Sequence, residues 1–516
     1  MRSLKSALAS TVLLGVSMTS AAAGRAPLDE RIFAGKPRGE EVSFLVVLRD
    51  EADLSAAAAI SDRAARIRFV YDALSAQAEV SQAAVRARLT ARGVAFQPFF
   101  LVNMIEVRAS GEVAEELALL PEVSTIAANR EASLSAPPED RGGREAPFEA
   151  RAAAAVEPNL TRIRAPEVWA RGFTGQGIVV AIADTGFAWE HPALKPHYRG
   201  FNGATAVHDY NWHDAVHDAS GGNPCGSSTA APCDDDGHGT STSGLSIGGE
   251  GDNQIGVAPG SRFIGCRNMD RGVGTPARYT ECFQWFLAPT DANGGNPRPD
   301  LAPHVINNSW GCPVSEGCTD PSVLLGVVDH VTAAGIFLAV SAGNSGPACA
   351  TTSDVPVFYA SSFTVGATTL ADEIANFSSR GPAAADGSGR LKPDISAPGV
   401  GVRTAASPSG YRPFSGTSAS APHVTGAVAL LWSASPALIG QVAATAALLE
   451  RSAMPLTSAQ DCAGFPGSAV PNAVFGFGRL DVAAALLLAP ASEPRPVFER
   501  RKPRPPATRA VPPRTL

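Results

Sequence analysis

The sequence predicts a doubly wound, mainly parallel α/β domain flanked by helices, preceded by a small α+β domain of ferredoxin-like order. Three observations carry this expectation. Between residues 156 and 489, strand-like apolar runs alternate with helical ones, the pattern of strands joined by crossover helices. One such run, Ile178-Val179-Val180-Ala181-Ile182-Ala183, is apolar throughout, as a strand covered on both faces requires. Ahead of it, residues 24–135 read as strand, long helix, two strands, short helix and strand.

Taken in order, residues 1–23 place Arg2 and Lys5 before an apolar run at residues 7–18, and Ala21-Ala22-Ala23 before Gly24. That is the composition of a removable export signal. The run is shorter than the stretch of about 20 apolar residues that spans a bilayer, so export without a membrane anchor is expected, to the extracellular space or a periplasm. Residues 43–49 are β-rich, residues 54–92 form an Ala-rich helix, and residues 96–107 fold as a hairpin around residues 101–103. A helix over residues 112–120 stops at Pro121 before a strand at residues 123–127. Nothing in this first domain forms a catalytic constellation. Residues 136–155, with Pro137, Pro138 and the pair Gly142-Gly143, have linker composition, and the Pro- and Arg-rich residues 490–516 read as an extended tail.

At 516 residues the chain exceeds one compact core, and its 45% hydrophobic content with 50 Gly and 41 Pro suits a globular protein rich in tight turns. A net charge of −7 and the lack of a basic patch interleaved with aromatics exclude nucleic acid as a partner. The eight cysteines, an even number in an exported chain, read as disulfides. Local spacing suggests Cys225 with Cys233, Cys266 with Cys282 and Cys312 with Cys318, leaving Cys349 for Cys462, although many other connectivities remain open.

Four motifs carry chemistry. Asp184-Thr185-Gly186 ends the apolar run, which puts a carboxylate at a strand's carboxyl end. An aspartic-protease reading of that tripeptide needs a second such motif, and there is none. In Asp236-Gly237-His238-Gly239-Thr240 the glycines allow a tight turn that leaves the imidazole at the head of a helix over residues 240–245. Val340-Ser341-Ala342-Gly343-Asn344-Ser345-Gly346 presents an amide at another strand end. Phe414-Ser415-Gly416-Thr417-Ser418-Ala419 opens a long helix with a serine, whose hydroxyl lies beside free backbone N–H groups and the positive end of the helix dipole. Alone, Ser418 would be an ordinary helix cap and Asn344 a turn residue.

Together, in the order Asp, His, Asn, Ser, these motifs resemble the subtilisin-like serine proteases, the subtilases. The resemblance runs from Asn159-Leu160 to Gly476-Phe477-Gly478-Arg479-Leu480-Asp481, and Cys266-Arg267-Asn268-Met269-Asp270 with Phe283-Gln284-Trp285-Phe286-Leu287-Ala288-Pro289 is similar to the bacillopeptidase F-like branch. It implies a serine endopeptidase of subtilisin-like fold, with Ser418 as nucleophile, His238 as general base, Asp184 as its orienting carboxylate and Asn344 as oxyanion donor. Asn308-Ser309-Trp310-Gly311 resembles the segment that pairs with substrate backbone, with residues 271–274 as the opposite rim. Ser341, Ala342 and Gly343 would wall the primary specificity pocket, and such small, uncharged walls point to apolar substrate side chains.

The resemblance also makes residues 24–135 an inhibitory propeptide, cut away somewhere within residues 133–155, from a domain at residues 156–489 that acts on proteins or peptides as a monomer. No cofactor is needed for such chemistry. Structural calcium is conceivable, but the loop at residues 251–259 is shortened where many subtilases bind it, so no metal ligand is assigned. Asp234, Asp235, His208, Asp209, His213, Asp214, His217 and Asp218 form an oxygen- and nitrogen-rich run that reads as a solvated loop rather than a metal site. A metal hydrolase reading lacks an HExxH-like helix, and a binding protein without catalysis would leave all four intact motifs without a purpose.

Overall fold

The computed structural model describes residues 25–37, 39–135, 137 and 155–490. The expected export signal, almost all of the linker at residues 136–155 and the tail after Pro490 lie outside the described residues. The first unit holds β1 (Val42–Leu48), α1 (Arg63–Ser81), α2 (Ala83–Ala91), β2 (Phe96–Phe99), β3 (Met104–Ala109), α3 (Gly111–Leu117) and β4 (Val123–Ala128). Its four strands form an antiparallel sheet in the order β2-β3-β1-β4.

The single helix expected over residues 54–92 is two. It starts at Arg63, where the Asp62 carboxylate accepts from the N–H of Ala65, and breaks at Gln82. The Gln82 side chain turns inward, donating to the Phe99 carbonyl at 2.8 Å and to Asn103 at 3.0 Å, so satisfying this buried amide ties the break to the hairpin.

Period-two alternation gives the sheet two apolar faces. Phe44, Val46, Ile105 and Val107 pack with Val85 and Leu89 of α2 and Leu117 of α3. Leu45, Phe99, Met104 and Ala127, from the opposite face, pack instead with Ala277 and Val323 of the second unit. Beyond β4 the chain leaves the sheet as a short strand, β5 (Ala132–Ser133).

The second unit begins with α4 (Pro158–Arg162) and α5 (Ala165–Trp169), followed by β6 (Val179–Asp184), β7 (Trp212–Asp214), α6 (His238–Ile247) and a hairpin of β8 (Gly249–Glu250) and β9 (Asn253–Gln254). Next come β10 (Arg262–Arg267), β11 (Met269–Asp270), β12 (Val273–Gly274), α7 (Pro276–Leu287), β13 (Val305–Asn308), α8 (Ser322–Ala333) and β14 (Phe337–Ser341). The chain continues through β15 (Phe363–Thr368), β16 (Ile395–Pro398), β17 (Val402–Ala405), β18 (Tyr411–Phe414), α9 (Thr417–Ala434), α10 (Val442–Ser452) and α11 (Val482–Leu488).

Seven of these strands make one parallel sheet in the order β16-β15-β14-β13-β6-β10-β7. Val180 and Ile182 of β6 pack on one side with Val424, Val428 and Leu431 of α9. Ala181 and Ala183 face the other side, toward Phe283 and Phe286 of α7 and Val327 and Val331 of α8. The expected doubly wound arrangement is therefore present, with helices on both faces explaining why the strands are apolar throughout.

All four disulfides have the locally suggested pairing: Cys225–Cys233, Cys266–Cys282, Cys312–Cys318 and Cys349–Cys462. The last closes by far the longest loop, with a sequence separation of 113, and constrains the unfolded chain most. Replacing both Cys349 and Cys462 with Ser should destabilise the protein by about 2–5 kcal/mol. The check is the midpoint of thermal unfolding under non-reducing conditions, compared with the same pair of substitutions at Cys312 and Cys318, whose short loop predicts the smaller loss.

Candidate active site

The parallel ladder fixes the site. In register, Ala183 of β6 lies opposite Asn308 of β13, and Asn308 lies opposite Val340 of β14. The next residue on each strand, Asp184, Ser309 and Ser341, therefore emerges at the same carboxyl edge of the sheet.

Asp184 is fully buried. Its Oδ1 accepts from the N–H of Thr185 at 2.8 Å and its Oδ2 from the hydroxyl of Thr242 at 3.2 Å. Oδ1 also lies 2.7 Å from Nδ1 of His238, so Nδ1 carries the proton and Nε2 is left to accept one. His238 is the first residue of α6, and that helix sits close to the end of β6 because residue 239 is glycine. A Cβ there would fall 2.0 Å from the Gly186 carbonyl oxygen and 3.0 Å from Asp184 Cβ. Asp234 braces the same turn, accepting from Thr185 Oγ1 and the N–H of Gly237, each at 2.8 Å.

Burial alone would lower the His238 pKa. The charge and hydrogen bond of Asp184, helped by Asp236, outweigh that burial and the nearby Arg412, and hold it above the ordinary histidine value of 6.5.

Ser418 is the second residue of α9 and is buried. Its hydroxyl donates to the Ser309 carbonyl at 2.9 Å rather than to His238, while the Ser309 hydroxyl donates to the Ser418 carbonyl at 3.1 Å. The Ser418 carbonyl is free to accept from Ser309 because Pro422, inside α9, lacks the N–H that would otherwise bond it.

Asn344 is equally constrained. Its Oδ1 accepts from both the N–H and the hydroxyl of Thr417 at 3.0 Å, which turns Nδ2 outward. Nδ2 donates to the carbonyl of Ser135 at 2.6 Å. The segment leading to Ser135 lies in the cleft: β5 pairs antiparallel with β12, Ser133 opposite Val273 and Ala132 opposite Gly274, and the Leu134 N–H donates to the Gly272 carbonyl at 2.8 Å. A Cβ on Gly416 would lie 3.5 Å from Pro137 Cγ, so Pro137 stands beside the start of α9.

The structure thus gathers Asp184, His238, Asn344 and Ser418, with the expected rim at residues 271–274 holding a peptide. The opposite segment behaves differently. No hydrogen bond joins Ser309, Trp310 or Gly311 to residues 132–135, and the Ser133 N–H points to Glu316 Oε2 at 3.4 Å. The Trp310 side chain is core: it stacks on Tyr279 with ring centroids 3.8 Å apart and donates from Nε1 to the Ala183 carbonyl at 3.1 Å, leaving only its backbone to the cleft.

Residues 175–478 match the model of the subtilase family. The chain belongs to the subtilase family. It is 36% identical over 471 residues to Bacillopeptidase F of Bacillus subtilis (strain 168), a match that covers 85% of this chain and 31% of that much longer protein. It is 31% identical to Subtilisin of Bacillus pumilus, over 55% of this chain and 87% of the relative. Alkaline elastase YaB of Bacillus sp. (strain YaB) is likewise 31% identical, over 54% of this chain and 60% of the relative.

Subtilases need no cofactor for catalysis. Among the described residues no group of three or more His, Cys, Asp or Glu side chains could hold a metal ion. The polar run at residues 208–218 serves other partners. His213 and His217 both reach Glu281 Oε1, at 2.7 and 2.9 Å, Asp214 and Asp235 each stand 3.2 Å from the buried Arg267, and Asp218 bonds Arg108 and Arg278.

Sequence reading missed Thr242, Thr417 and Pro422, which orient Asp184, Asn344 and Ser418; of these, Pro422 inside a predicted helix was the visible signal. Removing the Asp184 charge should lower the His238 pKa. In NMR titrations the ring should titrate above 6.5 in the wild type and at lower pH in Asp184→Asn, and an unmoved midpoint would contradict the assigned pairing.

Proposed function

We propose that this chain is a secreted serine endopeptidase made as a self-inhibited precursor, with residues 24–135 as inhibitory propeptide, residues 136–155 as the processed linker and residues 156–489 as the catalytic domain. The observation that carries the reading is the Ser135 carbonyl, bonded to Asn344 Nδ2 while the residues before it pair with β12. A peptide carbonyl at an amide donor beside a serine hydroxyl is the arrangement acyl transfer uses.

In the proposed reaction the Ser418 hydroxyl rotates from the Ser309 carbonyl toward His238, gives its proton to Nε2 and attacks the peptide carbonyl. Asp184 holds the tautomer and stabilises the imidazolium, while Asn344 Nδ2 and the Ser418 N–H hold the oxyanion. His238 returns the proton to the departing amine as the C–N bond breaks, and water then hydrolyses the acyl-enzyme by the same route. Because the base must be neutral, kcat/KM falls as pH drops through the raised His238 pKa.

Substrates pair backbone-to-backbone with β12, as β5 does, which favours extended chain in proteins or peptides. Four disulfides fit an oxidising compartment, and no helix among the described residues is long and apolar enough to cross a membrane.

Within residues 133–155 the proposed processing site is the bond after Ser135, a choice supported by the Ser135 carbonyl on Asn344 Nδ2. Ser418→Ala should accumulate as uncut precursor on a denaturing gel, while the wild-type product should begin at Ala136 on first processing by N-terminal sequencing. An Asn344→Leu variant should lose about 10²–10³-fold in kcat with a smaller change in KM. A cleaving Ser418→Ala protein would sink the assignment.

A further inference from the structure

The pocket beside Ser135 is not lined only by small, neutral walls. On the peptidase reading, with the Ser135 carbonyl on Asn344, the side chain preceding the scissile bond is directed to the space between residues 309–311 and residues 341–343, and one carboxylate lies close to both segments. A Cβ built on Gly311 would lie 3.0 Å from Asp354 Oδ2, and one built on Gly343 would lie 3.7 Å from the same oxygen. Both positions that face the carboxylate are glycine, so neither wall puts a side chain between it and the cleft. The Ser379 hydroxyl adds a second oxygen, 3.0 Å from the Gly343 position.

Asp354 is held there by its neighbours. Val355 and Cys312 exchange both backbone hydrogen bonds, at 2.7 and 3.0 Å, and Cys312 is also tied to Cys318. Among the described residues no cation pairs with the Asp354 carboxylate. Burial, with a further push from the Glu316 carboxylate, raises its pKa to about 6, as expected for an acid that lacks a counter-ion. Such a group gains most from a ligand that brings a positive charge.

We propose that Asp354 forms the floor of the primary specificity pocket and makes arginine or lysine the preferred residue before the scissile bond. This inference rests on the peptidase reading above and names the substrate class of the same site. It replaces the apolar preference that the neutral walls suggested. Ser135, the residue the chain itself presents there, carries no cation. Its attachment in the same chain supplies the effective concentration that lets a poor residue be processed once, and it leaves the charge unpaired and the pocket open to cationic substrates.

The test uses the full chain, expressed and allowed to mature, with peptide p-nitroanilides that differ only in the residue before the anilide: Arg, Lys, Phe or Leu. The wild type should favour Arg and Lys over Phe and Leu by at least about 10-fold in kcat/KM, and Asp354→Asn should reduce the Arg:Phe ratio on the order of 10²-fold. Benzamidine, a small aromatic cation, should inhibit the wild type competitively and lose that potency against the variant. The wild-type panel and the benzamidine titration stand even if the variant does not fold. A wild type that favours Phe or Leu, or a ratio unmoved by Asp354→Asn, overturns the assignment while leaving the peptidase reading intact. Hydrolysis of none of the four, with Ser418 also failing to react with a fluorophosphonate, overturns the peptidase reading and this inference with it.

Discussion

The hydrogen-bond ladder of β6, β13 and β14 is the constraint on which the site depends. Parallel strands cannot be joined by tight hairpins, so each connection crosses a face of the sheet and every strand runs the same way. All strand ends that carry function then fall on one edge. The register that sets Ala183 beside Asn308 and Asn308 beside Val340 brings the carboxylate, the hydroxyl of the cleft wall and the approach to Asn344 within neighbouring positions. Because both faces of β6 are packed, a slip of one residue would exchange Val180 and Ile182 for Ala181 and Ala183 and misfit both helix layers, so packing protects the geometry of the edge.

Two helix starts complete that edge, and each is held by a residue type that permits an unusual contact. Gly239 lets α6 approach the end of β6 closely enough for His238 to reach Asp184. Pro422 leaves the Ser418 carbonyl without its helical partner, and Ser309 supplies one, so the start of α9 and the segment after β13 exchange two hydrogen bonds. Each bond contributes only about 1 kcal/mol, but together they fix the distance between the cleft wall and the serine. Thr417 does the same for Asn344: its N–H and hydroxyl occupy Oδ1, and the amide has one orientation left.

Much of this was legible in the sequence because glycine turns at strand ends are local signals. Asp184, His238, Asn344 and Ser418 were each flagged by their neighbours, and the apolar run at residues 178–183 announced a strand covered on both sides. The break at Gln82 was not legible, since helix propensity is continuous across it and the reason is a buried amide reaching the hairpin at Phe99 and Asn103. Trp310 was read with its segment, but an indole that stacks on Tyr279 and bonds a strand carbonyl is set by tertiary packing. Asp354 was invisible for a similar reason. It stands ten residues beyond Asn344 in a loop without pattern, and only the Cys312–Val355 bridge carries it beneath Gly311.

The first unit is attached in two physically different ways, and this divides their roles. One face of its sheet lies on α7 and α8 through apolar side chains, and polar groups seal the rim: Gln284 Oε1 accepts from the N–H groups of Phe100 and Leu101, and Arg66 donates to the carbonyl of Ala333 at the end of α8. That surface has no dependence on what happens in the cleft. The tail at residues 132–135 is held by backbone hydrogen bonds to β12 and the Asn344 amide, contacts that any extended peptide can make, and by Ala132 and Leu134, whose side chains pack on the core around Tyr279, Trp310 and Cys312. Breaking the chain after Ser135 therefore removes no contact between the sheet and its helices; it only frees the second end of the tail. If the proposed self-processing holds, the cleft would stay occupied after the first cut for as long as the sheet remains seated, the strength of inhibition would be set on α7 and α8, and the choice of later substrates would fall to the proposed pocket between Gly311 and Gly343.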